Sequence, residues 1–528
     1  MKLLKHKSLI AILAAYFSYL SYTIIFRPLR IAVAFTAIDD GLYYPKIALN
    51  FVKFAKFTFD GITITNGFHP LWQIMLIPFA YLFKDNLAFL KFCYFFMVLI
   101  NIVSIILFYK ILKDNKFTSL GIFLFFLVLI LNFRGFSLFH SFIESHMTLL
   151  AYAVLLYLMH LWGNKIYMSS KISFIFGIAM GLAFLTRIDT FLFPIVYGIY
   201  GIYFAIKHKS YLKKVTKSLI FSAIGTALFV IPYLLINYLY FGKIITVSAF
   251  LKKGNTFLSS IKIFYSFFFN YYITRVKYVL GLNNLQALLL LIIIFISALL
   301  FLFYLKKYRK KSFKLENYMI MFLIFCAVHF LFLLFVTPSE LVSSTWYRVP
   351  EDITIAFLIG YLFSGIKMNK IFYNLTLTFV VLLFLAQFGL YHLYIKKKEM
   401  VFYRYEMADF IRENIPAEDR TLMYDPGLIS YFSDRYFVAR NGCIGDFEMA
   451  KLIKNRKLTE LVEKYNIKYL ILDVPPDILE KLKKYEVFET KKYTFMYYFS
   501  EGKKKLVLYR INPENIKEIF NLRYGTEL

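Results

Sequence analysis

Two neighbouring carboxylates, Asp39 and Asp40, stand just past the first membrane-length apolar run, Ser8 to Phe26. An acidic pair at a lipid–water boundary is costly unless it faces solvent, a cation or a reacting group. The pair is therefore the first candidate for chemistry. The competing reading is that it caps the helix that follows, where negative charge suits the N-terminal dipole. Three further polar groups stand between apolar runs. Glu144 and His146, in Ser141-Phe142-Ile143-Glu144-Ser145-His146, read first as an exposed loop pair. Arg187 and Asp189, in Thr186-Arg187-Ile188-Asp189, can pair with each other or take a ligand. Tyr347 and Arg348 lie in Trp346-Tyr347-Arg348, where an arginine can hold a phosphate bidentately or reach to lipid headgroups. Asn66 and His69 belong to Thr65-Asn66-Gly67-Phe68-His69-Pro70-Leu71-Trp72, whose Asn-Gly and His-Pro steps bend the chain into the next apolar run. No Cys or His cluster has metal-ligand spacing. P-loop, dinucleotide and nucleophile-elbow fingerprints are absent, which excludes an enzyme built on a soluble nucleotide in a Rossmann-like site.

The elements that must position these groups are membrane helices. Of the 528 residues 60% are hydrophobic and 18% charged, against about half and about a quarter for a soluble domain. Apolar runs of membrane length recur along the first three quarters of the chain, so the fold class is an α-helical polytopic membrane protein. The 62 Phe and 43 Tyr suit lipid-facing and interfacial positions. The net charge of +30 does not point to nucleic acid, because Lys and Arg fall mostly in short loops between apolar runs, as topology determinants and headgroup contacts do. Cys93, Cys326 and Cys443 are far apart and give no disulfide framework. The N-terminal apolar stretch has no small-residue cleavage site and reads as a retained first helix.

Placing the basic loops 110–116, 164–171, 207–217, 306–314 and 367–370 on the cytoplasmic side sets the rest. The segments 39–72, 134–146, 187–189, 241–283 and 337–352 then fall outside, as does the chain after His392. About eleven or twelve crossings satisfy this arrangement. Segment 69–83 is short for a span, and Lys396–Lys398 fall on the outer side against the rule. Two domains are expected: a transmembrane module over 1–394, with a first outer loop at 27–72, and a soluble extracytoplasmic α/β domain over 395–528. In the second, apolar runs shorten to strand length at Tyr469–Leu472 and Lys505–Tyr509, an amphipathic helical pattern covers Lys457–Tyr465, and Asp425-Pro426-Gly427 and Pro475-Pro476 supply turns.

The order of these pieces resembles the GT-C superfamily of polytopic glycosyltransferases. The likeness is nearest to family-39-like proteins, with protein O-mannosyltransferases, aminoarabinose transferases and arabinofuranosyltransferases as relatives. It rests on Asp39-Asp40-x-x-Tyr43-Tyr44-x-x-x-Ala48-x-Asn50, on Thr58-Phe59-Asp60-Gly61, and on Thr65 to Trp72. Weaker matches are Gly181 to Asp189, Asn237-x-x-x-Phe241-Gly242, and Asp425-x-Gly427-x-Ile429-x-Tyr431-Phe432.

The resemblance implies transfer of a sugar from a polyprenyl phosphate to a glycan, lipid or protein acceptor at the outer face of the cytoplasmic membrane. Asp39 is then expected to be the base, with Asp40 orienting the acceptor or supporting Asp39. One displacement with one base inverts the anomeric carbon, since retention needs a carboxylate nucleophile and an acid/base about 5 Å apart. The departing phosphate needs fixed positive charge, with Arg348 the leading candidate and Arg187 the second. His69, Asn66, Glu144, Asp189 and Tyr347 complete the expected substrate-binding set. Some relatives use a divalent ion; Asp39, Asp40 and Glu144 would then form an oxygen-rich site for Mg²⁺ or Mn²⁺. The alternatives are a lipid or glycan transporter, with ionisable groups buried mid-helix and visible halves, and a non-catalytic anchoring protein.

Overall fold

The computed structural model describes residues 28–36, 39–83, 85–131, 142–252, 256, 258–266, 316–338, 341, 345–364, 378, 402–490, 494–495 and 503–524. The expected span Ser8–Phe26, the basic loops at 306–314 and 367–370, and Lys396–Lys398 lie outside the described residues.

Among the described residues, five helices are long and apolar enough to cross a membrane: Asn86–Asp114, Ser145–Tyr167, Ile188–Lys207, Lys209–Phe241 and Asn317–Val336. The chain is a multi-pass membrane protein. Local sequence sets several boundaries. Asp85 caps the first of these helices by accepting the Ala88 N–H at 2.8 Å. His69, extended because a proline follows it, precedes the helix Pro70–Leu82. That helix has 13 residues, which at about 1.5 Å each reach about 20 Å, short of a hydrocarbon core of about 30 Å. It does not span the core upright.

The segment after the acidic pair forms the expected helix, Tyr43–Phe54. Its N-terminal half is enclosed by protein: Tyr43, Tyr44, Lys46, Ile47, Ala48 and Asn50 are buried. The C-terminal domain covers it.

That domain is a mixed sheet with helices on both faces. Strands β1 (Arg420–Met423), β2 (Tyr436–Ala439), β3 (Ile467–Val474), β4 (Glu486–Glu489) and β6 (Lys503–Arg510) run in the order β2-β1-β3-β6-β4, and β5 (Thr494–Phe495) pairs with β6. β1 is parallel to β2 and β3, while β3–β6 and β4–β6 are antiparallel. The side-chain alternation of strands divides two cores. Met423, Ile471, Leu506 and Leu508 join the hydrophobic core that continues into the membrane module. Leu422, Leu470, Leu472, Val507 and Tyr509 face the helices Phe447–Lys454, Leu458–Lys464 and Ile516–Tyr524. The domain therefore shares a core with the bundle.

Candidate active site

The candidate site is built from helix ends that meet at one level. Glu144 is the residue before the helix Ser145–Trp162, and its side chain does not cap that helix. Arg187 ends the helix Ser170–Thr186 in an extended conformation, and one turn of 3₁₀ helix, Ile188–Phe191, carries Asp189 back beside it. Glu144 and His146 are both buried, so they are not the exposed loop pair the apolar spacing suggested. The reason is that charged and hydroxyl partners arrive from elements distant in sequence.

Arg187 Nη1 donates to Glu144 Oε1 at 2.5 Å, and Nη2 donates to Asp189 Oδ2 at 2.6 Å. Arg187 Nε adds a longer contact to Asp189. The Tyr44 hydroxyl donates to Glu144 Oε2 at 2.7 Å, and His69 Nε2 lies 3.4 Å from Glu144 Oε1. Burial would raise the Glu144 pKa, but the His69 ring, the Arg187 guanidinium and the Tyr44 hydroxyl together hold it below the ordinary carboxylate value. Burial pushes the His69 ring down to about 4, against the attraction of Glu144, so His69 is neutral at pH 7. Burial, reinforced by Glu144, raises the Tyr44 phenol well above its usual value and keeps it a donor. His146 packs its ring edge-on to Trp72, with centroids 4.2 Å apart.

Tyr347 covers the cluster, its ring centroid 4.4 Å from the Arg187 guanidinium carbon. Lys252 reaches the same ring, its Nζ 4.3 Å from the centroid and in contact with the phenol oxygen. Arg348 follows on the chain, with its Nε lacking a hydrogen-bond partner among the described residues. On the inner side, His329 lies between Asp189 Oδ2 at 3.8 Å and Glu351 Oε1 at 2.7 Å. Sequence reasoning missed His329, Glu351 and Lys252. The available signal for His329 was its position as the sole His, Lys, Arg, Asp or Glu of a membrane-length apolar run, 317–336.

The acidic pair forms a second centre on the same frame. Asp39 and Asp40 open a turn of 3₁₀ helix, Asp39–Leu42, that leads into Tyr43–Phe54. Gly41 lies so close to Phe142 that a Cβ would stand 2.6 Å from its carbonyl oxygen, and Tyr44 reaches Glu144 as described. The pair does not cap its own helix, whose first residue follows a Leu42 without a side-chain cap bond. Asp39 Oδ1 instead accepts the Leu428 N–H at 2.8 Å, in the first turn of the helix Gly427–Ser433. Asp39 Oδ2 pairs with Arg404 Nη1. Asp40 is half-buried beside Tyr43, whose phenol burial raises, with Asp40 and Asp425 adding to the shift.

The structure thus gathers Glu144, Arg187, Asp189, Tyr347 and His69, with Arg348 adjoining Tyr347. Asn66 stands apart. Its amide donates to Asn237 Oδ1 at 3.1 Å and to the Ile245 carbonyl at 3.3 Å, and accepts the Val247 N–H at 2.9 Å. Among the described residues no three His, Cys, Asp or Glu side chains converge as a metal site. The Glu144 oxygens face Arg187 and Tyr44, and the Asp39 oxygens face Arg404 and Leu428, which does not fit a three-carboxylate cation site.

A family model described as a domain of unknown function, DUF8728, matches residues 393–509. No curated protein matches. Among solved structures, ArnT from Cupriavidus metallidurans bound to undecaprenyl phosphate is similar with a TM-score of 0.52 at 10% identity, over 94% of this chain and 98% of that chain. The archaeal oligosaccharyltransferase AglB from Archaeoglobus fulgidus, in complex with an inhibitory peptide and a dolichol-phosphate, gives 0.44 at 16% identity, over 85% of this chain and 66% of that one. The chain has a GT-C-like fold.

Proposed function

We propose that this protein is an inverting glycosyltransferase that moves a sugar from a polyprenyl phosphate to an acceptor hydroxyl at the outer face of the cytoplasmic membrane, with Asp39 as the base. The observation that carries the reading is the buried Glu144–Arg187–Asp189 cluster at converging helix ends, covered by Tyr347 and Lys252 and tied through Tyr44 to the acidic-pair segment. Buried charges gathered in a polytopic protein are costly and point to a functional site.

A phosphate leaves without a strong general acid, so the donor side needs fixed positive charge instead. Arg187 is already matched by two carboxylates and serves better as a scaffold. Lys252, against the Tyr347 ring, and Arg348, the next residue on the chain, supply the positive charge for the departing phosphate. On the acceptor side Asp39 removes the hydroxyl proton while that oxygen attacks the anomeric carbon and the phosphate oxygen leaves. Asp40 orients the acceptor. Part of the prenyl chain, a lipid of the class bound in the ArnT structure, would occupy an apolar cavity of about 400 Å³ lined by Phe184, Phe191, Gly198, Leu219 and Ile231. The reading uses no metal step.

The test is transfer of radiolabelled sugar from polyprenyl-phosphate donors in membranes. Asp39→Asn should reduce transfer by about 10²–10⁴-fold, and Asp40→Asn should reduce it less. Normal transfer by both variants overturns the base assignment. One observation favours a transporter instead: His329 is buried inside a span and paired with Glu351 and Asp189, as in a proton relay. Substrate movement down a proton gradient, without transfer from any polyprenyl donor, would establish that reading.

A further inference from the structure

We propose that Arg404, carried by the C-terminal domain, is a positioning residue for Asp39, so that the outer domain completes the active site of the membrane module. The inference rests on the reading of Asp39 as the base. Among the described residues each Asp39 carboxylate oxygen has one donor, and both donors belong to the C-terminal domain: Arg404 Nη1 on Oδ2 and the Leu428 N–H on Oδ1. Both side chains of the ion pair are largely enclosed, at 16% exposure for Asp39 and 21% for Arg404. A carboxylate oxygen has two lone-pair directions, so this arrangement fixes the plane of the carboxylate and leaves a direction on each oxygen for an acceptor hydroxyl. Gly427 closes the contact, since a Cβ there would lie 2.0 Å from the Asp39 carbonyl oxygen.

The position of Arg404 is itself fixed. Its helix, Phe402–Asn414, is held on the helix Leu29–Thr36 at two points. The Tyr405 hydroxyl donates to the Arg30 carbonyl at 2.7 Å, and Arg30 forks onto Asp409 with two bonds of 2.6 Å. On the far side Arg404 faces Asp473 of β3. Burial raises the Asp473 pKa, with Arg404, Lys504 and Arg523 opposing, and so weakens it as a competitor for the guanidinium. The charged and titratable groups around Asp39 are therefore Asp40 and Tyr43 on its own segment, Asp425 near Tyr43, and Arg404, backed by Asp473, Lys504 and Arg523.

A cation in contact favours the ionised carboxylate, so removing it raises the pKa of Asp39. In the purified full-length protein, Arg404→Gln should move the acid limb of the transfer-rate profile up by about one pH unit. It should lower kcat by about tenfold or more while leaving KM for the polyprenyl donor within about twofold. Added guanidinium should restore the acid limb, which a purely structural role would not allow. Arg404→Lys keeps the charge and loses the planar guanidinium that directs the single contact to Oδ2, so it should keep the acid limb and lower kcat. An unshifted limb in Arg404→Gln overturns the proposal. If Arg404→Gln does not fold, an unchanged kcat in Arg404→Lys overturns it equally. Absence of transfer by the wild type would instead refute the proposed function, and so separates the two failures.

Discussion

The Arg187 cluster gives the sharpest test of the site's electrostatics. Arg187 and Glu144 are each 4% exposed, so neither charge is screened by solvent. Arg187→Met leaves Glu144 and Asp189 as buried anions without their shared cation, a loss of about 3–5 kcal/mol. Glu144→Gln keeps the shape and the Tyr44 contact, and Arg187 retains Asp189, so its cost is about 1–3 kcal/mol. In the double variant Glu144 no longer carries the stranded charge. The two effects should therefore fall short of their sum by about 2 kcal/mol, within the range for contacting residues. The assay is equilibrium unfolding of the four proteins in one detergent, with free energies compared in a cycle. Additivity within about 0.5 kcal/mol would mean that the two groups do not sense each other, and the scaffold role of Arg187 would fall.

His69, depressed to about 4 by burial, binds fewer protons folded than unfolded between that value and about 6.5. Stability should thus fall by about 3 kcal/mol as pH drops through that window. His69→Gln should lack this component, and a wild-type-minus-variant difference that is flat with pH would disprove it. Gly427→Ala should push the C-terminal domain off the acidic pair, because the new Cβ meets the Asp39 carbonyl; faster proteolysis between the two domains is the readout, and an unchanged cleavage rate counts against the docking. Gly198 lines the apolar cavity and a Cβ there meets nothing within 4 Å, so Gly198→Phe should raise KM for the polyprenyl donor with kcat nearly unchanged. An unaltered KM removes the prenyl chain from that cavity.

The candidate site was legible in the sequence where polar residues interrupt apolar runs, since a membrane leaves such residues few bland explanations. Asp39, Glu144, Arg187 and Tyr347 all stood out on that ground. The partners were not legible. Tyr44 and Glu144 are 100 positions apart, and Asn66 and Asn237 are 171 apart. No hydrophobic period links such pairs. The Asn66–Asn237 contact also explains why two blocks that looked separate both stand out: they fix the turn that carries Val247–Leu251 and, beyond it, Lys252. The C-terminal strands were readable from short apolar runs, because alternation there serves two cores at once.

The acidic pair posed a choice between capping and catalysis that the structure dissolves. Asp39 does cap a helix, but it is the helix Gly427–Ser433, which stands 388 or more residues away in the other domain. A cap on its own helix would have needed only local sequence and would have left the C-terminal domain free. A cap across the interface makes the state of Asp39 depend on docking. The same holds one turn further on, where the buried Lys46 finds its counterion in Asp434 at 2.8 Å. Burial lowers the Lys46 pKa and Asp434 opposes that shift, so the domain that covers Lys46 also supplies its counterion. Asp39 and Lys46 are therefore both held by groups of the C-terminal domain. On the proposed function, that couples the C-terminal domain to the state of Asp39 without requiring a single substrate contact from the domain itself.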